Sequence, residues 1–348
     1  MEATTKGTHR DGIQALRAVA CMLVIFQHVT YYACETRGIP YQPFLPINFG
    51  RAGVDLFFVI SGFVMGQCLS QGGAFIVHRA ARILPPYWIA IAISFAVLGT
   101  SVGAWHFDFW SALLLPATDL NNSYMIPYWT LCYEAAFYIA TYAIILTKIP
   151  RSTIPWVCVA WIAAIALFNI YRPLGNFDDA VANSFIFQPG WLILLSPVTM
   201  LFAFGLLIAT APAIPSFSVP PVYLLLLSVG LFAVGTSDQF ATAVPNYIML
   251  GFSYSIALVA FMRMPFPDLV SRLGDYSYGM YLIHVVAITA VMRAFKVADP
   301  TARLSIIWPT MMIAALVAGT AFGWFEYQLH TKVFKRGPQR NRSLPQAA

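Results

Sequence analysis

Charged side chains are scarce: they make up 10% of the 348 residues, against about 25% in soluble domains. A chain so short of charge cannot face water over most of its surface, which excludes a soluble globular protein. Its five cysteines (Cys21, Cys34, Cys68, Cys132 and Cys158) form no C-x-x-C pair or other metal spacing. Four lie in or beside apolar runs and read as small buried hydrophobes, so neither a metal centre nor a disulfide framework is expected. No internal repeat, low-complexity tract or soluble domain breaks the pattern. The basic residues are scattered around apolar stretches, so the sequence pI near 9.1 reflects membrane topology and not nucleic-acid binding. A cleavable leader is not expected either. The apolar run after Lys6 and Arg10 contains Gln27 and His28, ends in Tyr31-Tyr32 and lacks a small-residue cleavage site.

What is present is apolar length. Hydrophobic residues account for 59% of the chain and mean hydropathy is +0.71. Ten windows fall near 13–33, 52–69, 84–101, 128–147, 154–171, 190–210, 219–237, 245–262, 276–295 and 304–325. Most suffice to cross a hydrocarbon core of about 30 Å as helices. The expected fold is therefore all-α, a polytopic transmembrane bundle of ten spans. Residues 1–330 form one integral domain, and 331–348 form a basic, disordered tail. With the N-terminus cytoplasmic, 14 Lys and Arg residues fall inside and 6 outside, which favours both termini inside. The 293–303 connection strains this scheme, because Arg293, Lys296 and Arg303 then lie outside. The 102–127 connection, without Lys or Arg, also falls outside.

Ionisable groups within spans are costly and mark sites or pathways. Arg17 and His28 are eleven residues apart on the first span. That spacing is near three helical turns and puts them on one face, roughly 16 Å apart along the axis. Asp55, in GVDLFFVISGF, and Glu134, in YWTLCYEAAFY, start their spans from the outer side at about the depth of His28. A carboxylate beside an imidazole fixes its tautomer and raises its basicity, as a general base requires. Each also has a plainer reading: a packed core histidine, a helix N-cap for Asp55 and a helix tie for Glu134. At the inner side, Arg79 and Arg82 share a helical face in the connection before the third span, and Pro85-Pro86 then opens the next helix. With Arg17 they form a natural clamp for phosphates. His284, in YSYGMYLIH, enters the ninth span from the same side and could neighbour Arg17, contact a bound cofactor or simply pack. Glu326 reads as a structural partner for an arginine.

Taken in order, Arg17-x10-His28, GVDLFFVISGF, Arg79-x-x-Arg82 with Pro85 and Tyr87, YWTLCYEAAFY and YSYGMYLIH resemble acyltransferase family 3. These are the integral-membrane O-acyltransferases of bacterial glycans. The compact form is similar to the exopolysaccharide and nodulation-factor acetyltransferase branch. The resemblance implies an acyl-CoA co-substrate, acetyl-CoA foremost, bound from the cytoplasm, no metal, and a glycan or lipid-linked sugar as acceptor. It also implies the bacterial inner membrane as location. On that reading His28, Asp55 and Glu134 are catalytic, while Arg17, Arg79, Arg82 and His284 bind the donor. Transfer runs either directly or through an acyl-histidine. Tyr327 departs from the family pattern, in which a basic residue and proline commonly follow the position of Glu326. The competing class is a proton-coupled transporter or exporter, which would also bury His, Asp, Glu and Arg.

Overall fold

The structure, a computed structural model, describes residues 2–99, 109–115, 127–174, 190–212, 219–237 and 243–334. Of the tail, residues 335–348 lie outside the described residues, as does most of the 102–127 connection. Ten apolar helices follow one another: α1 (Glu2–Arg37), α2 (Phe49–Gln67), α3 (Ala74–Leu98), α4 (Tyr128–Thr147), α5 (Ile154–Tyr171), α6 (Thr199–Thr210), α7 (Pro221–Gly235), α8 (Ala243–Met262), α9 (Asp268–Ala298) and α10 (Leu304–Leu329). Among the described residues, eight are long and apolar enough to cross a membrane, and α6 and α7 are shorter apolar helices. All ten fall on the hydrophobic windows of the sequence, so the expected all-α membrane bundle is found.

Three boundaries differ, two of them with a physical reason in the surrounding contacts. The third helix begins at Ala74 and carries Arg79, Arg82, Pro85 and Pro86 within it. The prolines do not open the helix, and the arginines sit on it instead of in a connection. Two missing N–H groups leave the carbonyls of Ala81 and Arg82 without their helical partners. Next to them, Tyr278 of α9 donates its hydroxyl to the Ile83 carbonyl at 3.0 Å. The sixth window divides into a tight turn (Gly190–Leu195) and α6, with Pro197 between them. Irregular backbone at this depth is tolerated only where protein groups satisfy it. Here Trp161 and Asn169 of α5 donate to the carbonyls of Leu194 and Leu195 at 2.9 Å each, and Thr199 donates to that of Ile193 at 2.6 Å. The ninth helix starts at Asp268, well before its apolar window.

The centre of the bundle is α2, packed against α1 and α6, with α1 also against α9. Close crossings hold it. A Cβ on Gly62 would strike the Phe202 carbonyl, and one on Gly205 would strike that of Val59, so α2 and α6 touch backbone to backbone. Gly279 and Gly323 bring α9 and α10 together in the same way. Small residues permit such approach where no hydrophobic effect drives helices together in lipid. Around this core α5, α7 and α10 turn large apolar side chains outward, among them Trp156, Leu226 and Val317.

Successive helices run antiparallel. One end gathers the starts of α1, α3 and α9 with the ends of α2, α8 and α10. Gly12 there abuts Phe261, and Gly274 abuts Gln14. This end holds Arg10, Arg79, Arg82, Arg263 and Arg272, and is called the basic end below. At the opposite end Arg293 donates to the Leu98 carbonyl at 2.6 Å and Arg37 to that of Pro300 at 2.7 Å. Arg293 thus caps the C-terminus of α3, where the helix dipole favours a cation. That gives one of the cations on the sparse side a structural task.

Exposed Gln71 and Thr301 lie at opposite ends. Cysteines placed there, in a chain without its native five, should react with an impermeant thiol reagent from opposite faces of the membrane. Thr301→Cys is the one expected to label in intact cells. Labelling of both from one face would contradict the alternation. Ser111 is unsuited to this purpose: it is fully buried, and its carbonyl accepts the Tyr87 hydroxyl at 2.7 Å.

Candidate functional site

A cavity of about 1290 Å³ opens at the basic end and reaches into the bundle between α1, α2, α3, α4 and α9. Drug-sized ligands occupy roughly 300–1,000 Å³, so the space suits a larger, elongated molecule. Arg17, Arg79 and Arg82 all line it. Their convergence follows from helical geometry. Arg79 and Arg82 share a face of α3, and Arg17 stands one turn below Cys21, whose thiol meets the Ser277 carbonyl on α9. Arg79 lies over the Phe75 ring, 5.6 Å from its centre, and donates to the Cys68 sulfur at 3.1 Å. Its Nε has no hydrogen-bond partner among the described residues. Arg17 donates to Gln14 at 3.4 Å, and Gln14 donates to Asp275 at 2.5 Å. Around Arg17, Arg82 supplies like charge, whereas Glu326, Asp275 and Glu134 supply opposite charge. The cavity is thus a guanidinium-lined anion site partly balanced by nearby carboxylates.

Beyond its inner limit lies a pair of histidines. His284 Nδ1 is 2.7 Å from the Tyr281 carbonyl. A carbonyl only accepts, so this nitrogen carries the proton. In a neutral ring His284 Nε2 is then an acceptor, and it meets His28 Nδ1 at 3.2 Å. His28 Nδ1 is also 2.9 Å from the Val24 carbonyl. Both contacts require a proton on His28 Nδ1, which leaves the lone pair on His28 Nε2. That is the tautomer a base or nucleophile needs. His284 is fully buried, while His28 is only partly so and stacks on Tyr32 at 6.4 Å. Neither histidine lines the arginine cavity.

The structure does not bring His28, Asp55 and Glu134 together. Asp55 pairs with Arg51 one turn earlier, at 3.7 Å, and the Arg51 guanidinium lies over Tyr247 of α8. Glu134 accepts hydrogen bonds from Ser61 at 2.8 Å and Tyr138 at 2.7 Å, and lines the cavity. The reason is angular: equal depth says nothing about the side of the helix on which a residue stands. Asp55 faces α8, and Glu134 faces the arginines. The partner of His28 is instead His284, which the sequence left between donor binding and packing. Glu326 is buried, with neither carboxylate oxygen hydrogen-bonded among the described residues, and does not line the cavity.

Tyr281 and Thr130 are the residues that sequence reasoning missed. Their hydroxyls meet at 2.6 Å, and both line the cavity. The available signal was the spacing of Tyr281 and His284, three residues apart on one helical face. Thr130 carried none, because an apolar segment gives a threonine no reason to stand out.

A buried ion pair and a catalytic carboxylate respond differently to substitution. Asp55→Ala should destabilise the protein by on the order of 3 kcal/mol, because it removes the carboxylate that balances the Arg51 guanidinium. The Arg51→Met, Asp55→Leu double variant should lose less than Asp55→Ala alone. Thermal unfolding in detergent measures both, and a double variant less stable than Asp55→Ala would contradict the pairing.

Residues 10–325 match the family model described as "Acyltransferase domain". The exopolysaccharide production protein ExoZ of Rhizobium meliloti (strain 1021) is 29% identical over 314 residues, covering 84% of this chain and 92% of the relative. Nodulation protein 10 of Rhizobium leguminosarum bv. viciae is 26% identical over 318 residues, covering 80% and 83%. No solved structure matches the chain.

Proposed function

This chain belongs to the acyltransferase family, as a multi-helix membrane member, and from that premise we propose that it moves an acyl group, acetyl foremost, from acyl-CoA to a sugar hydroxyl. The acceptor is a polysaccharide or lipid-linked glycan at the cell surface, in keeping with the name of the exopolysaccharide production relative. The bilayer concerned is the bacterial inner membrane, with the basic end toward the cytoplasm.

The observation that carries the proposal is the arginine-lined cavity ending next to the histidine pair. A donor with several phosphates needs charge-assisted partners, and Arg79, Arg82 and Arg17 can supply forked ones at the basic end. Its thioester arm would lie along the face of α1 from Arg17 toward His28, roughly 16 Å on. His28 Nε2 would take the proton of the incoming hydroxyl. The alternative, attack by the same lone pair on the acyl carbon, uses the same tautomer. His284 holds the ring through His28 Nδ1, the role first considered for Asp55 and Glu134. Glu134 lies among the arginines as a counter-charge. His28 is partly exposed away from the donor cavity, which leaves it open to an acceptor by a separate route. The donor then need not cross the membrane. A proton-coupled transporter finds less support, since the titratable groups form separate clusters instead of one chain.

His28→Ala should abolish transfer to glycan acceptor, with membrane abundance near normal. The loss expected of a missing base is about 10²–10⁴-fold. Thiol release from acetyl-CoA by purified protein measures it, and normal turnover in folded His28→Ala protein would sink the mechanism.

Arg79→Ala and Arg82→Ala should each weaken donor binding by about 1.5–3 kcal/mol, before solvent screening reduces it. Acceptor KM should change little, and Arg79→Lys should recover only part of the affinity. Calorimetry with CoA decides: unchanged donor affinity in both alanine variants would return these residues to topology signals.

A further inference from the structure

The hydroxyl pair that closes the cavity has a direction. Thr130 Oγ1 lies 3.0 Å from the Pro127 carbonyl and 2.6 Å from the Tyr281 hydroxyl. Thr130 has one proton, and Pro127 can only accept it. With the threonine proton on Pro127, the arrangement that satisfies both contacts, Tyr281 donates to Thr130. The Tyr281 ring is wedged against Phe57 at 5.9 Å and His284 at 5.8 Å. Its backbone carbonyl orients His284, which orients His28. One residue thus ends the donor cavity and anchors the histidine relay, and it points an O–H at a weak, exchangeable acceptor.

We propose that Tyr281 is a catalytic residue of the transfer: its hydroxyl leaves Thr130 to hold the thioester carbonyl oxygen as negative charge develops there. The proposal rests on the acyl-transfer reading above. His28 Nε2 removes the proton of the acceptor hydroxyl, and that oxygen bonds to the acyl carbon. The carbonyl electron pair moves onto oxygen, which Tyr281 stabilises by donating its hydrogen bond. When the pair returns, the carbon–sulfur bond breaks, and the sulfur leaves with its electrons and takes the proton from His28. A hydroxyl such as that of Thr130 is a poorer acceptor than an oxyanion, so the exchange becomes favourable only as charge builds. An interaction stronger in the transition state than in the ground state is what raises kcat. Thr130 holds the proton donor in place and closes the cavity while the site rests.

The two partners of this bond should therefore respond in opposite directions. Tyr281→Phe keeps the ring and its packing but should lower kcat by roughly 10²–10³-fold, with donor KM little changed. Thr130→Val should raise kcat by roughly two- to tenfold, the worth of the bond that Tyr281 no longer has to leave. Thr130→Ser, which restores the hydroxyl, should reverse that gain. The assay is thiol release from acetyl-CoA with glycan acceptor, run beside thermal unfolding of each variant. Equal losses in Tyr281→Phe and Thr130→Val would mark a purely structural hydrogen bond and overturn the proposal. Wild-type rates in both would overturn it as well. Should Tyr281→Phe fail to accumulate, the threonine variants decide alone: a Thr130→Val enzyme slower than wild type refutes the proposal. Failure of the wild-type protein to release thiol would instead bring down the acyl-transfer reading itself, and this role with it.

Discussion

Guanidinium groups crowded around one cavity inside an apolar bundle set the terms for the rest of this structure. Arg17, Arg79 and Arg82 repel one another, and lipid cannot solvate them. The fold answers in two ways. Carboxylates stand close: Glu134 on α4, Asp275 on α9 and Glu326 on α10. The cavity itself opens at the basic end, which gives water and counter-ions a way in. That compensation is incomplete, since among the described residues Arg79 Nε has no hydrogen-bond partner and neither has the Glu326 carboxylate. A site in this state gains from receiving a polyanion.

The histidine pair is built on the opposite principle. Among the described residues, no carboxylate is a hydrogen-bond partner of His28 or His284; their protons are placed by the backbone carbonyls of Val24 and Tyr281 and by the contact between the two rings. A carboxylate partner would hold the ring more strongly but would also stabilise its charged form. Backbone carbonyls set the tautomer with less bias toward the imidazolium. Thr130 and Tyr281 line the cavity beside His284, so the proposed anion binding and proton transfer would fall to neighbouring parts of one bundle.

Such an arrangement depends on how the helices meet. The His28–His284 hydrogen bond is 3.2 Å long, and a shift of an ångström between α1 and α9 would break it. Gly274 lies against the backbone of Gln14 and fixes that distance near the basic end. Gly53 brings α2 against the Ala20 carbonyl of α1. Glycines at crossings thus do for this protein what side-chain interdigitation does in a soluble core.

How much was legible in the chain follows from what a helix encodes linearly. Apolar length gave the ten segments, because a span of about 30 Å needs a fixed number of residues. The cation count gave the basic end, and rare polar residues within spans gave Arg17, His28, Asp55, Glu134 and His284. Depth was legible too, since each residue rises about 1.5 Å. What depth could not supply is the angle about each helix axis and the identity of the neighbour there. Asp55 and His28 looked like partners because they share a level, yet Asp55 turns to Arg51 and α8. His284 looked like a donor contact because it enters from the basic end, yet it meets His28. The start of α3 was misread because Pro85-Pro86 favours a helix start locally, whereas packing against Tyr278 helps carry the helix through. The sequence by itself determined which groups the bilayer would force inward; only the tertiary structure decided which of them touch, because packing between helices, through glycine crossings for α1, α2, α6, α8, α9 and α10, set their rotation and offset.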